Sequence, residues 1–241
     1  MSKIIKINGV DCYCPVELSS GMKGGLIVIH EVWGLTDHIK NVADRFAELG
    51  YYVLVPDLLA ETEIAKLDTT NLQHGLFNPE KRNSVQPLLR ELMTPLHMPD
   101  FSDQTNRKLL NVFEYLYGLS DLKYNISVTG FCFGGTYSYN LAVLEPRLKF
   151  VIPFYGHNDH SVDDLKKIKA KIIAFYGEND DSLISNLDNL KSRMKEAKVD
   201  FKSTVYPGCG HAFFNDSNPF AYNEKAAKSS FDEITILLNK N

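Results

Sequence analysis

The sequence is short of every feature that would take it away from ordinary soluble chemistry. It has four cysteines, and two of them, Cys12 and Cys14, are separated by one residue. An extended segment cannot close an unstrained bridge across that gap, and so sparse a set forms no disulfide framework. There is no basic cluster: 26 Lys and Arg stand against 30 Asp and Glu, a net charge of -4. Such a balance argues against nucleic acid and anionic membranes as partners. No apolar run reaches membrane-spanning length, and the opening MSKIIKINGVDCY lacks the apolar core and cleavage site of a signal peptide. A cytoplasmic protein with reduced thiols is expected. No Gly/Ser linker, internal repeat or low-complexity stretch divides the 241 residues. A single α/β domain over 1–241 is therefore expected.

What is present is alternation. Apolar, β-branched runs (LIVIH, YVLVPD, ISVTG, KFVIPFYG, KIIAFYG, FKSTVYPG) are separated by amphipathic stretches of helical spacing. The helix after LIVIH starts at Thr36 or Asp37 and stops at Gly50; later ones begin near Asn106, Ile184 and Glu224. This pattern predicts a mostly parallel sheet with helices on both faces. IIKIN and DCYCPVE near the start predict an antiparallel edge. Residues 58–103 break the rhythm with helix-like segments and prolines at 79, 87, 95 and 99. They read as a helical excursion that shields an edge of the sheet or, the preferred reading, walls one side of a pocket.

In parallel sheets, ligands gather at the carboxyl ends of strands. ISVT runs into Gly130-Phe131-Cys132-Phe133-Gly134, KIIAFYG into Glu178-Asn179-Asp180-Asp181, and STVYPG into Cys209-Gly210-His211. A cysteine between glycines on a strand-to-helix turn suits a nucleophile: the sharp turn projects the side chain, and small flanking residues relieve the crowding. At a helix N-terminus a thiolate is favoured. A packing cysteine in a glycine-rich contact is the competing explanation. His211 can take the thiol proton, and Asp180 or Asp181 can orient its ring. Cys209 is a passive small residue or a second thiol close enough to be oxidised with Cys132.

Together HEVWGL, GFCFGG, YGENDD and YPGCGHAF, from about Gly24 to Phe214, resemble the dienelactone hydrolase family. This is a branch of the α/β-hydrolase fold with a cysteine nucleophile. The resemblance implies a three-layer α/β architecture with Cys132 as nucleophile, Asp180 as orienter and His211 as base. It also implies that Glu31 helps deprotonate the thiol, and that the Val32 and Phe133 amides form the oxyanion hole. The expected reaction is hydrolysis of a small ester or lactone through an acyl-thiol, as in a carboxymethylenebutenolidase, without metal or organic cofactor. The partner is then the small-molecule substrate alone, and the protein a monomer or weak homodimer. Trp33, Phe131, Tyr155 and Phe213 are candidate pocket residues. One departure stands out. Family members acting on dienelactone carry an arginine four residues after the histidine, to pair with the substrate carboxylate; here that position is Asn215. Arg82, Arg90 and Arg107 are the arginines within reach of the excursion.

Two other readings compete. His157, Asp159, His160 and Asp163 have ligand-type side chains at short spacing, which suits a metal-dependent hydrolase. A catalytically silent member of the fold would bind a ligand without turning it over.

Overall fold

The structure is a computed structural model that describes residues 2–78, 80–122 and 124–239. Pro79, one of the excursion's prolines, lies outside the described residues. β1 (Lys3–Ile7) and β2 (Val10–Cys14) form the antiparallel hairpin expected near the start. Its turn is Asn8-Gly9, with φ of +46° and +88°. Positive φ at both positions gives the twist that a two-residue hairpin needs.

β2 lies antiparallel to β4 (Tyr52–Pro56), and from there the sheet is parallel. The remaining strands are β3 (Gly25–Ile29), β5 (Ile126–Phe131), β6 (Phe150–Phe154), β7 (Lys171–Gly177) and β8 (Phe201–Tyr206). The order is β1-β2-β4-β3-β5-β6-β7-β8. Every residue of β3, β4, β5 and β6 is buried. Strands covered on both faces read as unbroken apolar runs, which is why LIVI and YVLV show no alternation.

The helices, in chain order, are α1 (Asp37–Glu48), α2 (Thr69–Phe77), α3 (Arg82–Met93), α4 (Pro99–Gly118), α5 (Phe133–Leu144), α6 (Val162–Leu165), α7 (Asp181–Glu196) and α8 (Glu224–Leu238). Thr36, not Asp37, caps α1, and Gly50 turns the chain away at φ +94°. α1 and α8 meet where the Phe46 and Phe231 rings lie 5.1 Å apart. The Tyr51 hydroxyl donates to the Leu238 carbonyl at 2.5 Å and ties the end of α8 to the start of β4. α4 buries Thr105, Leu109, Val112, Phe113 and Leu116, one stripe at helical spacing. It begins at Pro99 rather than near Asn106. Proline suits the first helical position, but the first turns are largely exposed and so carry no apolar signal.

The excursion from Leu58 to Met98 holds α2, α3 and two short 3-10 turns. Leu59, Ile64, Leu89 and Leu96 cluster there with Val32 and Trp33, apart from the main core. The excursion thus covers the tip of β3.

Candidate active site

The parallel strands β3, β5, β7 and β8 all point their carboxyl ends the same way. Their following loops carry Glu31, Cys132, Asp180 and His211 to one edge of the sheet.

Cys132 sits between β5 and α5 with φ +56° and ψ −112°. That backbone is costly for an L-residue, on the order of 1–3 kcal/mol, and persists only when the surroundings impose it. The surroundings are visible. The Cys132 N–H donates to the Phe154 carbonyl at 3.1 Å. A Cβ on Gly130 would lie 2.1 Å from the Gly134 carbonyl oxygen, and one on Gly134 would lie 2.2 Å from that of Ile29. Both glycines are therefore required for the turn to close. The Cys132 side chain is half-buried, whereas Cys12, Cys14 and Cys209 are buried.

His211 lies in the loop after β8. The Asn179 N–H donates to the Cys209 carbonyl at 2.8 Å, and the Gly208 N–H to Glu178 Oε2 at 2.8 Å. These bonds fasten the β7 loop to the β8 loop. His211 Nδ1 then meets Asp180 Oδ2 at 2.5 Å. Asp180 is the N-cap residue of α7, yet its side chain does not cap the helix. It binds His211 and accepts from the Ser182 hydroxyl at 3.0 Å. Asp181, the rival orienter, is exposed in the first turn of α7. Burial alone would raise the Asp180 carboxyl, but the His211 ring and the Ser182 hydroxyl hold it below its usual range.

The Cys132 thiol lies near enough to the ring to act on its charge. Burial opposes charge on His211, but the Cys132 sulfur and the Asp180 carboxylate outweigh it. Its pKa is raised well above that of an ordinary histidine. The Tyr155 ring packs against the imidazole, 4.9 Å between centroids. The structure thus brings Cys132, His211 and Asp180 together.

Glu31 is nearly fully buried, at 4 % exposure. Its Oε2 accepts from Asn215 Nδ2 at 2.6 Å, and its Oε1 from the Tyr155 hydroxyl at 3.5 Å. Burial raises its pKa, opposed by His38, His211, Asn215 and Tyr155. The role of Asn215 was not legible from residue type alone. Its Oδ1 accepts from the Ser217 N–H at 3.1 Å and hydroxyl at 2.7 Å, which turns its NH2 toward Glu31. A neutral amide therefore holds the carboxylate where the resemblance leads one to expect a guanidinium. Arg82, Arg90 and Arg107 are all exposed. Two further histidines had no role assigned from the sequence. His38, buried at the start of α1, pairs with Asp216 at 2.8 Å. His30, fully buried, bonds the Glu31 carbonyl.

Phe133 opens α5, where helix N–H groups lack intrahelical partners, and it packs against the cluster that holds Val32. A cavity of about 340 Å3 opens beside Trp33, walled by Leu35, Asp57, Leu59, Ile64 and Leu67. Phe131, Tyr155 and Phe213 are fully buried in the aromatic packing beneath the site. Phe131 stacks on Phe154 at 4.7 Å, and Phe213 meets Tyr155 edge-on at 5.5 Å. Of the candidate pocket residues, only Trp33 borders this cavity.

The loop from His157 to Asp163 is spent on other partners. His160 Nε2 bonds Asn140 Oδ1 at 2.9 Å, and Arg193 donates to the carbonyls of Asn158 and His160. Asp163 pairs with Lys166. Among the described residues, no group of three or more His, Cys, Asp or Glu side chains is placed to hold a metal ion. Nor, among them, is any helix long and apolar enough to cross a membrane.

Solved structures share this architecture. A Klebsiella pneumoniae protein, described provisionally as a dienelactone hydrolase, matches with a TM-score of 0.80 at 22% identity, over 100% of this chain and 98% of its own. The dienelactone hydrolase of Anabaena variabilis matches with a TM-score of 0.66 at 13% identity, over 98% and 95%. The fold is that of the α/β-hydrolases. The sequence places the chain more narrowly. The dienelactone hydrolase family model matches residues 14–241. A Saccharolobus solfataricus protein, named provisionally as a carboxymethylenebutenolidase, is 32% identical over 235 residues, 90% of each chain. The protein belongs to the dienelactone hydrolase family and is a hydrolase.

Proposed function

We propose that the protein hydrolyses small, uncharged carboxylic esters or lactones through an acyl-thiol at Cys132. The observation that carries this reading is the His211 ring, bonded to Asp180 and close enough to the Cys132 sulfur for each to act on the other's charge. With Nδ1 committed to Asp180, Nε2 is the atom that exchanges protons. With the proton held on Nε2, the sulfur attacks the substrate carbonyl carbon. The carbonyl oxygen becomes an oxyanion held by the Val32 and Phe133 amides. Collapse breaks the bond to the leaving oxygen, which takes the proton from His211. Water then gives a proton to His211 and attacks the acyl-thiol. The second tetrahedral intermediate expels the sulfur as thiolate beside the protonated His211 ring, which restores the starting pair, and releases the acid. Asp180 keeps the ring oriented and stabilises its charged form. Glu31 is a reserve acceptor: burial makes its carboxylate a stronger base, and once free of Asn215 it takes the thiol proton.

The preference for uncharged substrates follows from the charges around the sulfur. Glu31 is buried there, Asn215 carries no charge, and the three arginines of the region are exposed. A carboxylate on the substrate would meet the like charge of Glu31, and the His211 ring that could offset it is already paired with Asp180.

The test is a Cys132→Ala comparison on p-nitrophenyl esters with neutral and with carboxylate-bearing acyl groups. Loss of the nucleophile lowers kcat on the neutral esters by about a thousandfold or more. The intact protein prefers the neutral member of each pair by about tenfold or more in kcat/KM. Unchanged turnover in the variant rules out the thiol. Turnover of no ester by either protein favours a silent binding protein instead.

A further inference from the structure

We propose that His30 is a positioning residue that aims the Val32 N–H at the reacting oxygen by holding the carbonyl of Glu31. The inference rests on the Cys132 mechanism above and extends it to a residue that does not touch substrate.

His30 is fully buried, so both ring nitrogens need partners. The Leu58 N–H donates to Nε2 at 3.1 Å, which leaves that nitrogen without a proton. The neutral ring then carries its proton on Nδ1, 2.6 Å from the Glu31 carbonyl oxygen. Two backbone groups thus select one tautomer, and burial disfavours the charged ring that would break the arrangement.

The consequence comes from peptide geometry. The Glu31 carbonyl and the Val32 N–H belong to one planar, trans peptide and point in opposite directions. The Gly34 N–H also donates to the Glu31 oxygen, at 3.1 Å, and closes a turn over Val32 and Trp33. With the oxygen drawn toward His30 and Gly34, the Val32 N–H is turned the other way. The His30 ring also lies parallel to the Phe133 ring, 5.9 Å and 6° apart. Phe133 supplies the second amide of the oxyanion hole. Leu58 is the first residue of the excursion, so one imidazole joins the Glu31–Val32 peptide and the Phe133 ring to the segment that covers them.

The test compares two reactions of the same sulfur. A trifluoromethyl ketone adds to Cys132 and leaves an alkoxide where the oxyanion forms. Iodoacetamide alkylates Cys132 by displacing iodide and forms no oxyanion. His30→Leu is expected to lower kcat and ketone affinity by about tenfold or more, with KM and the alkylation rate within about twofold. His30→Gln has an amide that can donate to Glu31 and accept from Leu58, and it regains most of both losses. A His30→Leu protein that alkylates normally and keeps its ketone affinity overturns the proposal. If that variant does not fold, His30→Met takes its place under the same criteria. If neither folds, the residue serves the fold alone and the proposal is wrong. Failure of the underlying mechanism looks different: iodoacetamide would then spare Cys132 in the unsubstituted protein, or Cys132→Ala would turn over normally.

Discussion

Glu31 is held at the tip of β3 by an amide and a phenol, and its pKa is raised because burial penalises its charge. The folded protein therefore binds its proton more tightly than the unfolded chain does. Stability falls as pH rises from the unfolded value, about 4.3, through the folded one. Glu31→Gln removes that dependence. Thermal melts should show the variant more stable than the parent at pH 8, with the advantage gone below about pH 4. A variant less stable at every pH would mean that the carboxylate is well satisfied where it lies. In the sequence, Glu31 gained a role only through the resemblance of its segment to a family. Asn215 read as a missing arginine, because residue type alone does not show that Ser217 orients its amide toward Glu31. His30 marked a family segment without a role of its own, and His38 gave no signal. Their partners lie on Leu58 and Asp216, far away in the chain and unmarked by any spacing.

The element that matters most is the turn from β5 into α5. Its legibility was high because the constraint is local: glycines two before and two after a bent residue announce the bend. The contacts make this a quantitative expectation. Gly134→Ala sets a Cβ against the Ile29 backbone, which cannot swing aside, and should destabilise the protein by on the order of 3 kcal/mol or more in urea titrations. Gly210→Ala meets nothing within 4 Å and should stay within about 0.5 kcal/mol. Equal effects would mean that the turn relaxes around a methyl group. The excursion was less legible. Its apolar residues pack against Val32 and Trp33 instead of the sheet core, so their spacing marked helices without saying what they cover. The first turns of α4 were missed for the same physical reason: exposed turns have no apolar stripe to read.

Across the whole molecule, the parallel sheet converts distance along the chain into proximity. Residues 31, 132, 180 and 211 meet because four strands end at one edge. Strand and helix alternation carried the sheet, and chemistry-bearing residues at strand ends named the candidate site. Substrate was not legible: the cavity beside Trp33 is walled by segments whose packing is set by tertiary contacts, and none of Glu31, Cys132, Asp180 and His211 lines it. The central claim is that the Cys132 sulfur becomes covalently acylated during turnover. The most direct measurement mixes the protein with excess p-nitrophenyl acetate, quenches in acid within one turnover and maps the acylated peptide by mass spectrometry. The account predicts one acetyl group on the peptide carrying Cys132, disappearing as substrate is exhausted. An acetyl group on another residue, or turnover without any adduct that survives Cys132→Ala, would contradict it.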